Sequence, residues 1–168
     1  MKHFTALLRP AVITLALGFT TMSALAASPA DFVDEASAKG LAEIQTSQLA
    51  LEKSQSSDVK KFAQMMIDDH TKANKELAQV ASKLNLKVAD EAALMEKAKK
   101  MILEYREESF DKSYANNQVV AHEQTIELFE EELKSSSAKP ELKSFAEQTL
   151  PKLKMHLEDA KALQAKYK

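Results

Sequence analysis

The 168-residue sequence contains no cysteine and no tryptophan, and its only glycines are Gly18 and Gly40. Without cysteine there is no disulfide framework and no thiol to carry a lipid at a processed N-terminus. Without more glycine, the Asn-Gly and Asp-Gly turns that punctuate β proteins cannot be built, and neither dipeptide occurs. Arginine is scarce as well, with Arg9 and Arg106 the only two. The lysines alternate with acids and form no basic stripe, so the footprint of a phosphate-tracking groove is missing and no nucleic-acid partner is expected.

The one long apolar run lies at the N-terminus. Lys2 and Arg9 precede an apolar stretch from Ala11 to Phe19, broken by Thr14 and Gly18, and Ala24-Leu25-Ala26 follows as a small-x-small cleavage site. The stretch is shorter than the roughly 20 residues of a spanning helix. Residues 1–26 are therefore expected to be a secretory leader, with the mature chain beginning at Ala27 and reaching the periplasm or the exterior. No later run approaches spanning length, so no integral membrane segment is expected after it. Lys2 and Arg9 are the leader's only charged residues, and their loss takes the formal charge from −2 to −4.

Residues 27–168 suit one domain able to bury a substantial core. Strong helix formers, Ala, Leu, Lys, Glu and Gln, dominate it, so the fold class is all-α. Ser28-Pro29-Ala30-Asp31 opens the first helix as N-cap, first-turn proline and capping acid. Its inward stripe runs through Phe32, Ala36, Gly40, Glu43 with Ile44, Ser47 and Leu51. After a serine-rich turn, with Asp58 as expected cap, a second helix from about Val59 to Leu84 carries Phe62, Met66, His70, Ala73, Leu77 and Val80 inward. Asn85 to Asp90 is a break, and a shorter helix from about Glu91 to Tyr105 serves as a crossover. Ser109 is the expected cap of a fourth helix that carries Tyr114, Gln118, His122 and Thr125 and ends near Leu133. Pro140 opens a fifth with Leu142, Phe145, Leu153, His156 and Leu163 inward, and Pro151 is expected to kink it. Asp111 and Tyr114 look like first-turn groups, the acid favouring the helix dipole and the hydroxyl satisfying a nearby carbonyl.

The motif Val59-Lys60-Lys61-Phe62-Ala63-Gln64 is echoed by Leu142-Lys143-Ser144-Phe145-Ala146-Glu147, each after a serine-rich turn and each leading to an inward histidine. Such an echo fits two antiparallel hairpins joined by a helical crossover, the connectivity of a ferritin-like four-helix bundle. Each long helix then presents one ligand-type side chain to the core: Glu43, His70, His122 and His156. Glu43 lies 13 residues before Ser56 and His70 lies 14 after it, so both stand about 20 Å from that turn. Counted from Ser137, His122 and His156 differ in height by about 6 Å.

A core stripe takes about three positions in seven, so three histidines reach it by chance about one time in twelve. Two readings of the four residues stand. They hold one divalent transition-metal ion, Zn, Mn, Fe or Cu, by imidazole and carboxylate; or they form a buried, hydrogen-bonded polar network with Glu43 paired to a histidine. A bridged two-iron centre needs Glu three residues before a histidine on two helices, and those positions hold Ile67, Val119 and Leu153. Met66, one turn from His70, would tilt a metal site towards copper, although methionine at this spacing is commonly core filler. No side chain set specifies a catalysed reaction.

Phe62-Ala63 with Asp69-His70-Thr71, Phe110-Asp111 with Tyr114 and His122, and Phe145-Ala146 with Leu150-Pro151 and His156-Leu157 together resemble the exported bacterial proteins of domain-of-unknown-function family 4142. The resemblance spans almost all of the mature chain and implies a ferritin-like fold and export, with no agreed reaction to carry over. Ser109 stands where that family has glycine, which touches the turn only. The outer-membrane label often given to the family does not suit this sequence, since integral outer-membrane proteins are barrels of alternating strands and no such pattern is present. Two function classes follow: a metal-binding bundle of the cell envelope, or a non-catalytic envelope or stress-related protein whose helical surface meets a partner and whose polar core is structural.

Overall fold

The computed structural model describes residues 28–87, 89–103 and 109–167. The expected leader, Ala27 and the expected end of the third helix at Tyr105 lie outside the described residues. Among those described there are five helices and no strand: α1 Pro29–Lys53, α2 Ser57–Lys83, α3 Glu91–Leu103, α4 Phe110–Lys134 and α5 Pro140–Ala165. The all-α class is what the helix-forming composition dictates.

The helix ends follow local chemistry. Ser28 and Asp31 form a reciprocal capping box on α1, Ser28 Oγ accepting from the Asp31 N–H at 3.2 Å and Asp31 Oδ2 from the Ser28 N–H at 2.9 Å. At α2 the cap is Ser56 and not Asp58, because the helix starts two residues earlier and Ser56 Oγ reaches the Val59 N–H. Asp58, now in the first turn, accepts a hydrogen bond from Lys166 at 2.6 Å. Asn85 ends α2 with φ 52°; the Leu86 N–H returns to Ala81 O and the Asn85 N–H to Ser82 O. That is a Schellman closure, in which asparagine tolerates the left-handed conformation and Leu86 packs back on the core. Ser109 stands at the N-cap of α4 without making the expected side-chain cap bond. Helix α5 runs on through Pro151.

Neighbouring long helices run antiparallel. α1 packs on α2 and α4 packs on α5, with further contacts between α1 and α4 and between α2 and α5. Phe32 meets Phe129 edge to face at 5.3 Å near one end, and Ser47 meets Tyr114 towards the other. Asp58 to Lys166 and Asp69 to Lys152 mark the same reversal between α2 and α5. α3 lies against α1, with Lys97 paired to Glu35. Because α1 touches α2, α3 and α4, it is buried over more than one stripe: Ala38, Ala42 and Ala50 are buried, while the expected Ile44 and Leu51 are half-buried.

The core divides into two apolar clusters. One gathers Phe32, Leu77, Phe129, Leu142, Phe145 and Leu153; the other gathers Val59, Phe62, Met66, Tyr114, Ala115 and Leu163. In α2, α4 and α5 the inward histidine sits between the members of the two clusters, and Glu43 does so in α1. The polar residues thus form a layer across the middle of an otherwise apolar interior.

Candidate metal centre

His70, His122 and His156 come from three helices and are buried together, at 6%, 1% and 1% exposure. Their ring centroids form a near-equilateral triangle with sides of 5.6, 5.6 and 5.4 Å. One ring nitrogen from each lies within 4.8 Å of the other two. The His122 and His156 rings meet at 5.4 Å despite the height difference of about 6 Å expected from counting residues, and the general lean of helical side chains acts to narrow such a gap. Side chains lean towards the N-terminus of their own helix, so in an antiparallel pair His122 leans away from the turn and His156 leans towards it.

Hydrogen bonds set the tautomers of His122 and His156. His122 Nδ1 lies 2.8 Å from the Gln118 carbonyl oxygen, which only accepts, so Nδ1 carries the proton and Nε2 keeps its lone pair. His156 Nε2 donates to Asp69 Oδ2 at 2.9 Å, leaving the lone pair on Nδ1. Asp69 in turn accepts from Lys152 at 2.6 Å. Burial alone would raise the Asp69 carboxyl, but the bonds from Lys152 and His156 outweigh it and hold it below the usual carboxylate range. The three nitrogens left over, His70 Nε2, His122 Nε2 and His156 Nδ1, are buried and have no partner within the protein. A buried polar atom without a partner costs about 1–3 kcal/mol. One such atom on each of three converging histidines is what a divalent ion with imidazole ligands would satisfy, and the Gln118 carbonyl and Asp69 carboxylate are the kind of outer partner that orients such ligands.

Glu43 is buried, at 4% exposure, but it is not part of this group of three. It lies beside His122 and Gln118, and its Oε2 has no hydrogen-bond partner within the protein. Burial pushes its carboxyl up, against the pull of His122 and Gln118. Met66 is fully buried in the apolar cluster. The Tyr114 hydroxyl is buried and bonds Ser47 Oγ at 2.8 Å on α1, not a carbonyl of its own helix; desolvation pushes it far up. The groups to which the sequence pattern assigns no role are Asp69, which stands in the Asp69-His70-Thr71 motif, and Lys152. Asp69 lies one position before His70 and so on a different face of α2, turned to α5; its adjacency to a core histidine was the available signal.

Burial holds His70 well below the usual histidine value of 6.5, helped by the neighbouring His122 and His156. It also lowers His156, against the opposing pull of Asp69. Folding therefore withholds protons that the unfolded chain takes up below pH 6.5, and metal-free stability is full above that value and lost on acidification, by about 1.4 kcal/mol per pH unit for each proton withheld. Glu43 acts oppositely: its raised value makes the folded chain retain a proton that the unfolded chain releases above about 4.5. Melting of the metal-free chain should fall between pH 7 and 5.5, and fall more steeply in Glu43→Gln. A flat profile would contradict the lowered His70 and His156.

The fold and this centre define a helical bundle with a buried tri-histidine cluster. Residues 15–163 match the sequence model described as Domain of unknown function (DUF4142), and the chain belongs to that family. No curated protein sequence matches it significantly. Among solved structures the chain is similar to "CopM in the Cu(II)-bound form", with a TM-score of 0.64 and 14% identity over 86% of this chain and 100% of that one. At that identity the likeness is one of fold.

Proposed function

We propose that the chain is exported after removal of residues 1–26, and that residues 27–168 form a ferritin-like four-helix bundle, two antiparallel hairpins with α3 as crossover, that binds one divalent transition-metal ion through His70, His122 and His156. The observation that carries this reading is the convergence of three buried histidines, one ring nitrogen from each within 4.8 Å of the others, each of which also keeps a ring nitrogen without a partner in the protein. Donors around a single ion at bonds of about 2.0–2.1 Å stand roughly 3.3–3.6 Å apart, so closure asks for adjustments of an ångström or so. Neutral imidazoles suit copper and zinc better than manganese, and copper(II) is the strongest binder of the divalent series. The fold's likeness to a protein solved with Cu(II) points the same way. Glu43, next to His122, is placed to balance the ion's charge as a carboxylate. Handling or buffering of copper in the cell envelope is the role this site serves. Among the described residues no helix is long and apolar enough to cross a membrane.

Copper titration of the untagged mature chain tests the reading, with one ion per chain expected. A chain that melts identically with and without copper would leave the polar layer a structural feature of a non-catalytic envelope or stress-related protein. Sequencing the N-terminus of the exported fraction tests the leader: Ala27 is expected, and a retained Met1 would contradict it. Asp69→Asn removes the charge that fixes the His156 ring, and copper affinity should fall about 10–100-fold with helicity unchanged. Unchanged affinity would show that Asp69 serves only the surface pair with Lys152.

A further inference from the structure

Beside the triad lies a chamber of about 30 Å³, room for about two water molecules, and both His70 and His156 line it. Its apolar wall is built from Leu77, Phe129, Phe145 and Leu153, which offer no ligand atom. Three polar residues of its lining already have partners. Asn74 Nδ2 donates to Ser37 O, Thr125 Oγ1 donates to Ala121 O, and Asp69 is held by Lys152 and His156. Gly40 contributes by what it omits: a Cβ there would collide with the Asn74 side chain, which lies against α1. Among the described residues only the three histidines form a group fit to hold an ion, so no fourth His, Cys, Asp or Glu completes the set.

Resting on the metal reading above, we propose that an ion held by His70, His122 and His156 keeps one coordination position for a small exogenous ligand, water or a monoanion of two or three atoms, housed in this chamber. Four protein donors make a closed, structural site, whereas three with a free position make one that exchanges ligands. The chamber's volume excludes anything of organic-substrate size. Its charge favours an anion: the bound cation lies on one side, and the Asp69 carboxylate on the lining is offset by the Lys152 ammonium.

Azide is the probe. The untagged mature chain is loaded with one equivalent of Cu(II), its copper content is measured, and azide is titrated while the azide-to-copper charge-transfer absorption is followed. A saturable band is expected. Ala73→Leu, which fills the chamber from α2, should retain one copper per chain and weaken azide by about ten-fold or more, equivalent to about 1.4 kcal/mol. Thr149→Leu narrows the same space from α5 and is the independent second variant, with helical circular dichroism confirming that each is folded. A copper-loaded wild type without an azide band overturns the proposal whatever the variants do, as do two folded variants that bind azide like the wild type. A chain that takes up no copper overturns the metal reading itself, and the copper content measured before azide is added distinguishes that outcome.

Discussion

Replacing His122 with alanine is expected to abolish stoichiometric copper binding and with it the copper-induced rise in melting temperature. At a free metal concentration one hundred times its dissociation constant, a ligand that binds only the folded state stabilises it by about 2.7 kcal/mol. For a domain of this size that is roughly 5–10 °C. His122 supplies one of three donors, its Nδ1 is already bonded to Gln118 O, and it is 1% exposed, so no solvent-facing group replaces it. His70→Ala and His156→Ala should behave alike. The comparison is made by melting each variant with and without copper; a full copper shift in all three would remove the triad from any metal site.

Phe32→Ala is expected to cost about 3–5 kcal/mol of stability while leaving copper stoichiometry intact. Phe32 is 1% exposed, packs edge to face on Phe129 and belongs to the cluster on one side of the polar layer. Removal of the ring opens a cavity in that cluster and also forfeits the aromatic contact, worth about 0.5–1.5 kcal/mol beyond burial. Chemical denaturation measures the loss, and copper content of the folded variant measures its independence from the centre. A cost below about 1 kcal/mol would mean that the cluster can collapse around the gap. Loss of copper in a folded Phe32→Ala chain would mean that packing and site are one unit.

The helices were legible because their signals are local. Ser28-Pro29-Ala30-Asp31 holds the whole capping box, and the spacing of Phe62, Met66, His70 and Leu77 holds the inward face of α2. The meeting of three histidines was legible because counting residues from a turn gives height along a hairpin. It does not give the angle around the axis. Glu43 stands at the right height, yet α1 packs on α4 as well as α2, which turns it to His122 and Gln118 and leaves it outside the group of three. The same limit hid Asp69, whose role depends on α5 lying beside α2, and gave Tyr114 a carbonyl partner where Ser47 of α1 is the true one. The cap of α2 was misplaced because Ser56 and Asp58 both suit an N-cap and differ only in where the turn ends.

The most direct test of the central claim is anomalous diffraction at the copper edge from crystals of the copper-loaded mature chain. The account predicts a single strong peak about 2 Å from His70 Nε2, His122 Nε2 and His156 Nδ1. A peak confined to surface carboxylates, with the three nitrogens left as they stand in the metal-free chain, would contradict it.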